Sequence, residues 1–244
     1  GAGGGSIIDA VKLVANTLDL TYITVPSTLS NDAIYSPIAR LVKDGKKQSF
    51  GVKAPLGIIA DVNIIKGSPK KLILAGVGDL VSNASAVKDW LLAHADRGES
   101  INNFALALAS LSGNSVIPYT IDDIRTPRFI GDLANGLVIS GLAMVLANSS
   151  RPASGAEHLI SHAIDDLFPE RATLHGLQVA WGHLLVEREF RQPESDYEKL
   201  LVFFERMKML DEIERDITFS KEEVEQIILR AKTIRDRYTI LSKV

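Results

Sequence analysis

The sequence predicts two structural regimes along one chain: an α/β segment over residues 1–67, then an all-helical region over residues 68–244. Three observations carry this. A glycine-rich opening, "GAGGGS", runs straight into an apolar-periodic helix, the form of an anion-binding turn. Short β-branched runs separated by turn residues follow it. From Ser68 onward the strand signals stop, and helix caps with a 3.6-residue apolar period take over.

Taken in order, the first helix reads from Ile7, Ile8, Val11, Val14 and Ala15, which predict one apolar face. A turn of this kind normally follows a β-strand, and none is evident before it. "LTYITVPST" has the content of a short strand ended by Pro26. "IARLVKDGKKQSFGV" places Asp44-Gly45 between two runs, a dipeptide that suits the positive φ angles of a tight hairpin. "PLGIIADVNII" reads as a further strand. Ser68 then predicts an N-cap with Pro69 in the first helical position. Ser195 with Glu198, and Ser220 with Glu223, predict capping boxes. Leu200, Phe203, Phe204, Met207 and Leu210 form a stripe of the kind that packs into a core.

With 46% hydrophobic and 23% charged residues, the composition is that of a globular protein. A net charge of −3 argues against a general nucleic-acid or membrane-surface binder, so an anionic ligand needs a local basic site. The chain has no cysteine, so a metal must be held by histidine and carboxylate. No apolar run is read as membrane-spanning, and the expected setting is cytoplasmic without membrane insertion.

The strongest chemical signal is "SRPASGAEHLISHAIDDLFPERATLHG". It holds three of the chain's five histidines. His158 and His162 share a helix face at i, i+4, and His175 follows. A catalytic zinc-type site takes three protein ligands and keeps one position open. Asp79, read at the start of a helix after Gly76 and Gly78, offers a carboxylate, with Asn83 four residues on. Two unrelated histidines and a capping aspartate fit the same spacings. His94 and His183 read as structural or solvated. The glycine loop reads equally as a pyrophosphate site or a linker, and Asp32 lies where a strand's C-terminal end would point.

Five segments in order, "GGGSIIDAVK", "PSTLSNDA", "GVGDLVSN", "SRPASGAEHLISHAID" and "LHGLQVAWG", together resemble the sn-glycerol-1-phosphate dehydrogenase family, within the wider group of iron-type alcohol dehydrogenases, glycerol dehydrogenases and dehydroquinate synthases. The resemblance implies a dehydroquinate synthase-like fold: the C-terminal part of a Rossmann-like dinucleotide-binding unit over 1–67, and a helical metal- and substrate-binding domain over 68–244. It also implies that strands and helices precede Gly1 in the whole protein, so that an inactive fragment is one reading of this chain alone.

By the same resemblance, Gly3, Gly4, Gly5 and Ser6 hold the pyrophosphate of NAD(P), with Asp9 behind them. Ser27, Thr28 and Leu29 line the cofactor cleft, and Asp32 lies near the substrate hydroxyls. Asp79, His158 and His175 match the metal ligands, and His162 a histidine close to the substrate, available for hydrogen bonding or proton relay. Asn83 stands where some relatives carry a further histidine, which favours zinc, with nickel or iron as alternatives. Arg151 and Lys53 are the cations assigned to a substrate phosphate. The implied reaction interconverts dihydroxyacetone phosphate and sn-glycerol 1-phosphate in a homo-oligomer. Glycerol or polyol oxidation, a dehydroquinate synthase-like cyclisation and a purely metal-binding role are the alternatives.

Overall fold

The computed structural model describes residues 1–243; Val244, the last residue of the expected helical region, lies outside them. A two-residue strand does precede the glycine loop: β1 (Ala2–Gly3) leads into α1 (Gly5–Thr17) and β2 (Ile23–Pro26). β1 and β2 are parallel, with Ala2 opposite Val25 and Gly3 opposite Pro26. The "IARLVKDGKKQSFGV" segment forms the antiparallel hairpin of β3 (Ile38–Lys43) and β4 (Lys46–Gly51). Asp44 and Gly45 take φ of 52° and 75°, the left-handed pair that such a turn demands. The run expected as a full strand gives only β5 (Gly57–Ile58), parallel to β2. Asp61 stops it there. Its carboxylate accepts from the backbone N–H of Asn63 and Ile64 and so caps α2 (Val62–Ile65).

The first helix is rotated from its expected face. Ile7 and Val14 are exposed, and Ile8, Asp9, Lys12 and Ala15 are the buried residues. An ion pair thus takes the place of two apolar side chains. Lys12 is fully buried, and its ammonium reaches Asp9 Oδ1 at 3.1 Å, Ser36 Oγ at 3.1 Å and the Ile38 carbonyl at 2.7 Å. An ammonium has three protons to donate, and here each has an acceptor. Burial still pulls Lys12 below the ordinary lysine range against the opposing charge of Asp9.

Helices follow: α3 (Lys70–Val81), α4 (Asn83–Arg97), α5 (Asn103–Asn114), α6 (Pro127–Ala147), α7 (Ala156–Leu167), α8 (His175–Glu189), α9 (Tyr197–Arg206), α10 (Met209–Asp216) and α11 (Lys221–Ala231). The cap of α3 is shifted by one residue from its expected place. Pro69 is the N-cap, and the buried Ser68 hydroxyl has no partner. Ser195 makes no capping box either. It donates to the Glu187 carbonyl and accepts from the Tyr197 N–H, while Asp196 is the N-cap of α9. Ser220 and Glu223 form the expected box on α11.

Leu200, Phe203, Phe204 and Met207 lie in the core, with Leu210 packed against it. The same cluster joins Ile8, Leu29 and Ile34 of the α/β segment to Ile73, Phe129 and Leu177 of the helices. Each such side chain contributes about 1.5–3 kcal/mol on burial. Contrary to the reading of the sequence, α6 is long and apolar enough to cross a membrane by length and composition. Its Phe129, Ile130, Leu133 and Leu137 are fully buried in the central cluster, against α3, α5 and other elements of the fold.

Candidate metal centre

Three helices bring the predicted ligands together. Asp79 lies in the last turn of α3 rather than at a helix start, His158 in the first turn of α7, and His175 opens α8. Glycines let α3 and α8 touch backbone to backbone. A Cβ on Gly176 would stand 1.8 Å from the Ala75 carbonyl oxygen, and one on Gly78 would stand 2.5 Å from the Gly176 carbonyl oxygen. Asp79 Oδ1 consequently lies 3.6 Å from His158 Nε2 and 3.7 Å from His175 Nε2. All three donor atoms fall within 4.8 Å of one another. These separations are too long for hydrogen bonds, and Asp79 Oδ1 is buried with no partner. Its other oxygen accepts the Asp32 N–H at 2.9 Å.

The far side of each imidazole is already committed. His158 Nδ1 lies 3.0 Å from Glu157 Oε1, which also accepts the Gly155 N–H. An ionised carboxylate only accepts, so Nδ1 carries a proton and Nε2 is the atom turned toward Asp79. His175 Nδ1 lies 3.1 Å from Ser161 Oγ, whose hydroxyl donates to Gln178 Oε1 at 3.4 Å. That chain leaves Nε2 as the free lone pair. Two imidazole nitrogens and one carboxylate oxygen without mutual bonds fit a divalent cation of the zinc type, which would take the place of the proton that His158 Nε2 otherwise carries.

The electrostatics agree with a site built around charge. Burial works against ionising Asp79, but the contact with His158 and the charges of His175 and His158 hold its carboxyl below the ordinary range. Burial likewise opposes a charged His158, and its contacts with Asp79 and Glu157 override that and raise it to about 9. Burial drives His175 down to about 3 despite Asp79. His162 is held well below the ordinary range by burial, then by the charges of Arg40 and Arg235. Burial, then the charge of Asp79, pushes the Asp32 carboxyl up to about 7.

A cavity of about 540 Å³ carries the three histidines on its wall, together with Asp32, Thr28, Gly4, Gly5, Ser6 and Asp9. The glycine loop, the helix behind it and the histidine cluster thus share one cleft. Gly3, Ser27 and Leu29 do not line it. The Ser27 N–H donates to the Gly3 carbonyl beside the sheet, and Leu29 is fully buried in the core. Asn83 faces away toward α5 and α6, where its amide donates to Ser112 Oγ and Ser140 Oγ, both at 2.9 Å.

The two cations expected for a phosphate are engaged elsewhere. The Arg151 guanidinium pairs with Glu99 and donates to the Tyr238 carbonyl, and Lys53 pairs with Asp19; neither lines the cleft. His94 is exposed and bonds the Glu99 carbonyl. His183 is buried near Glu187, and burial lowers it to about 4. Sequence reasoning missed Glu157, Ser161 and a set of cations on the cleft wall, Arg40, Lys47 and Arg235. Glu157 stands next to His158 in the sequence, and its lack of any solvent exposure was the missing signal.

A family model for iron-containing alcohol dehydrogenases matches residues 1–69. Over its whole length the chain is 39% identical to the NAD(P)+ glycerol-1-phosphate dehydrogenase of Archaeoglobus fulgidus, of which it spans 70%. It is 42% identical to the enzyme of the same name from Thermococcus sibiricus, of which it spans 69%. The chain belongs to the glycerol-1-phosphate dehydrogenase family. Solved structures show how widely the fold of this family is shared. A probable glycerol dehydrogenase from Sinorhizobium meliloti superposes with a TM-score of 0.77 at 18% identity, covering all of this chain and 71% of that one. Glycerol dehydrogenase from Schizosaccharomyces pombe gives 0.74 at 22% identity, covering 98% of this chain and 63% of that one. The α/β segment and helices of this family member therefore have the architecture of iron-containing alcohol and glycerol dehydrogenases.

Proposed function

We propose that this chain carries the metal and substrate side of an NAD(P)-linked dehydrogenase that interconverts dihydroxyacetone phosphate and sn-glycerol 1-phosphate. Residues 1–67 then act as the C-terminal part of a dinucleotide-binding unit and 68–244 as the metal- and substrate-binding part. The observation that carries the reading is the orphaned Asp79 Oδ1 facing two imidazole Nε2 atoms at 3.6 and 3.7 Å, whose rings line the same cleft as the glycine loop. Asp79, His158 and His175 would hold a divalent cation, with zinc the best match to the N/O donor set. The chemistry supplied by the bound groups is Lewis acidity toward the substrate carbonyl and a hydride for its carbon.

The chain's own residues do the rest. Gly4, Gly5 and Ser6 present backbone N–H groups at the N-terminus of α1, where the helix dipole favours a pyrophosphate. Asp32, tied through its N–H to Asp79, places a carboxyl beside the reacting hydroxyl. His162 stays neutral, so its ring has one donor and one acceptor nitrogen and can pass a proton to the product oxygen. The test is dihydroxyacetone phosphate-dependent oxidation of NADH and NADPH with added zinc, with zinc content measured in parallel. Oxidation that requires both zinc and the phosphorylated ketone is expected. Stoichiometric zinc without turnover of that ketone would sink the reaction and leave the metal site standing.

A further inference from the structure

The cleft wall beyond His162 carries an unbalanced positive charge. Arg40 on β3, Lys47 on β4 and Arg235 after α11 line both the 540 Å³ cavity and an adjoining one of about 620 Å³, and Ser49 and His162 line both as well. One buried carboxylate serves two of the three cations. Asp165 accepts from Arg40 Nη2 and from Lys47 Nζ, each at 2.8 Å. Asp166, the other acid on this wall, is taken by Arg230 at 2.7 Å and lies 4.0 Å from Lys46.

Arg235 has no carboxylate partner among the described residues. Its Nη2 donates to Ser49 Oγ at 2.8 Å, the same oxygen that Arg40 Nη1 reaches at 3.1 Å. Two guanidinium groups therefore converge on one hydroxyl, and like charges so placed repel unless an anion joins them. The strain shows in Arg235, which burial and then the charge of Arg40 push below the ordinary arginine range.

We propose that Arg40, Lys47 and Arg235 form a subsite for a phosphomonoester dianion, the phosphate end of the substrate, next to His162. Three cations against the single charge of Asp165 leave room for a dianion, which a monoanionic carboxylate would only half neutralise. The two guanidinium forks suit the edges of a phosphate, and Lys47 adds a point charge. The hairpin register sets the spacing, since Arg40 stands directly opposite Ser49. The identity of the phosphate rests on the family reaction proposed above; the existence of the subsite does not.

Two measurements separate these. Binding of inorganic phosphate is followed by calorimetry at fixed ionic strength, with no cofactor present. Turnover of dihydroxyacetone phosphate is compared with that of unphosphorylated dihydroxyacetone, using NADH and NADPH in turn. Arg235→Gln should weaken inorganic phosphate about 10-fold and lower selectivity for the phosphorylated ketone about 10- to 100-fold, alike with either cofactor. Lys47→Gln, on a more exposed side chain, should act in the same direction and guards against misfolding of the first variant. Lys53→Ala carries the competing assignment and should change neither quantity more than about twofold. Unchanged phosphate binding in both cleft variants would overturn the subsite. So would a loss confined to NADPH, which would assign these cations to the cofactor's 2′-phosphate. If the wild type turns over neither ketone but Arg235→Gln still loses phosphate, the subsite stands and the reaction falls.

Discussion

Two buried charge clusters border one cleft, Asp9 and Ser36 of the first and His158 and His175 of the second lining it, and they differ in one respect. Around Lys12 each ammonium proton has an acceptor: Asp9, Ser36 or the Ile38 carbonyl. Around Asp79 the polar groups converge and leave Oδ1 without a bond. The first cluster is closed and holds α1 against the hairpin. The second is open and has the form of a ligand set. What separates these two clusters is therefore satisfaction rather than burial or charge, and an unpaired buried oxygen costs about 1–3 kcal/mol.

The contrast is sharpest if each cluster is broken in turn. His158→Ala should abolish stoichiometric zinc and lower turnover at least about 1,000-fold, as expected when a Lewis acid is lost. Metal analysis by mass spectrometry checks it, and full zinc occupancy would refute the ligand set. Lys12→Met should instead destabilise the fold by about 3–5 kcal/mol by stranding Asp9, read from urea unfolding, with zinc affinity unmoved. A loss of zinc affinity in folded Lys12→Met would show that the two clusters are coupled. Glu157→Ala should lower zinc affinity about 10- to 100-fold through misorientation of His158, and Glu157→Gln should recover part of it. Equal losses in both variants would mean that the carboxylate acts by charge alone.

The smallest effect is a pH dependence at Asp165. Burial opposes its ionisation, but the bonds from Lys47 and Arg40 win and hold its folded carboxyl below the usual 3.8. A carboxyl lowered on folding adds stability that is fully present above the unfolded value and is lost as pH falls through the folded one. The stability gap between wild type and Asp165→Asn should therefore be constant above about pH 5 and shrink below the unfolded value of about 3.9. A gap that stays constant in acid would remove Asp165 as the group responsible.

Local chemistry was legible in the sequence wherever one short segment decides the outcome. Asp44-Gly45 sets its own turn, Ser220 and Glu223 cap their own helix, and the histidines of "SGAEHLISHAID" come together on one helical face. What escaped depends on partners distant in the chain. Apolar period alone put Ile7 and Val14 inside, because it gives no weight to a salt bridge that finds acceptors on the hairpin. Ser68 failed as a cap because Pro69 took that place. Arg40 and Arg235 meet over Ser49 from opposite ends of the sequence, and no spacing rule joins them. The sequence gives no sign that Arg151 and Lys53, assigned there to a substrate phosphate, are paired, because Glu99 and Asp19 lie far from them along the chain.

The glycine contact between α3 and α8 has an entropic consequence. With the Ala75 carbonyl pressed where a side chain of residue 176 would stand, Asp79 and His175 ride on helix backbones packed in direct contact. A cation held there would be bound by residues on packed helices rather than by a loop that must first be ordered, so little conformational entropy would be lost on capture.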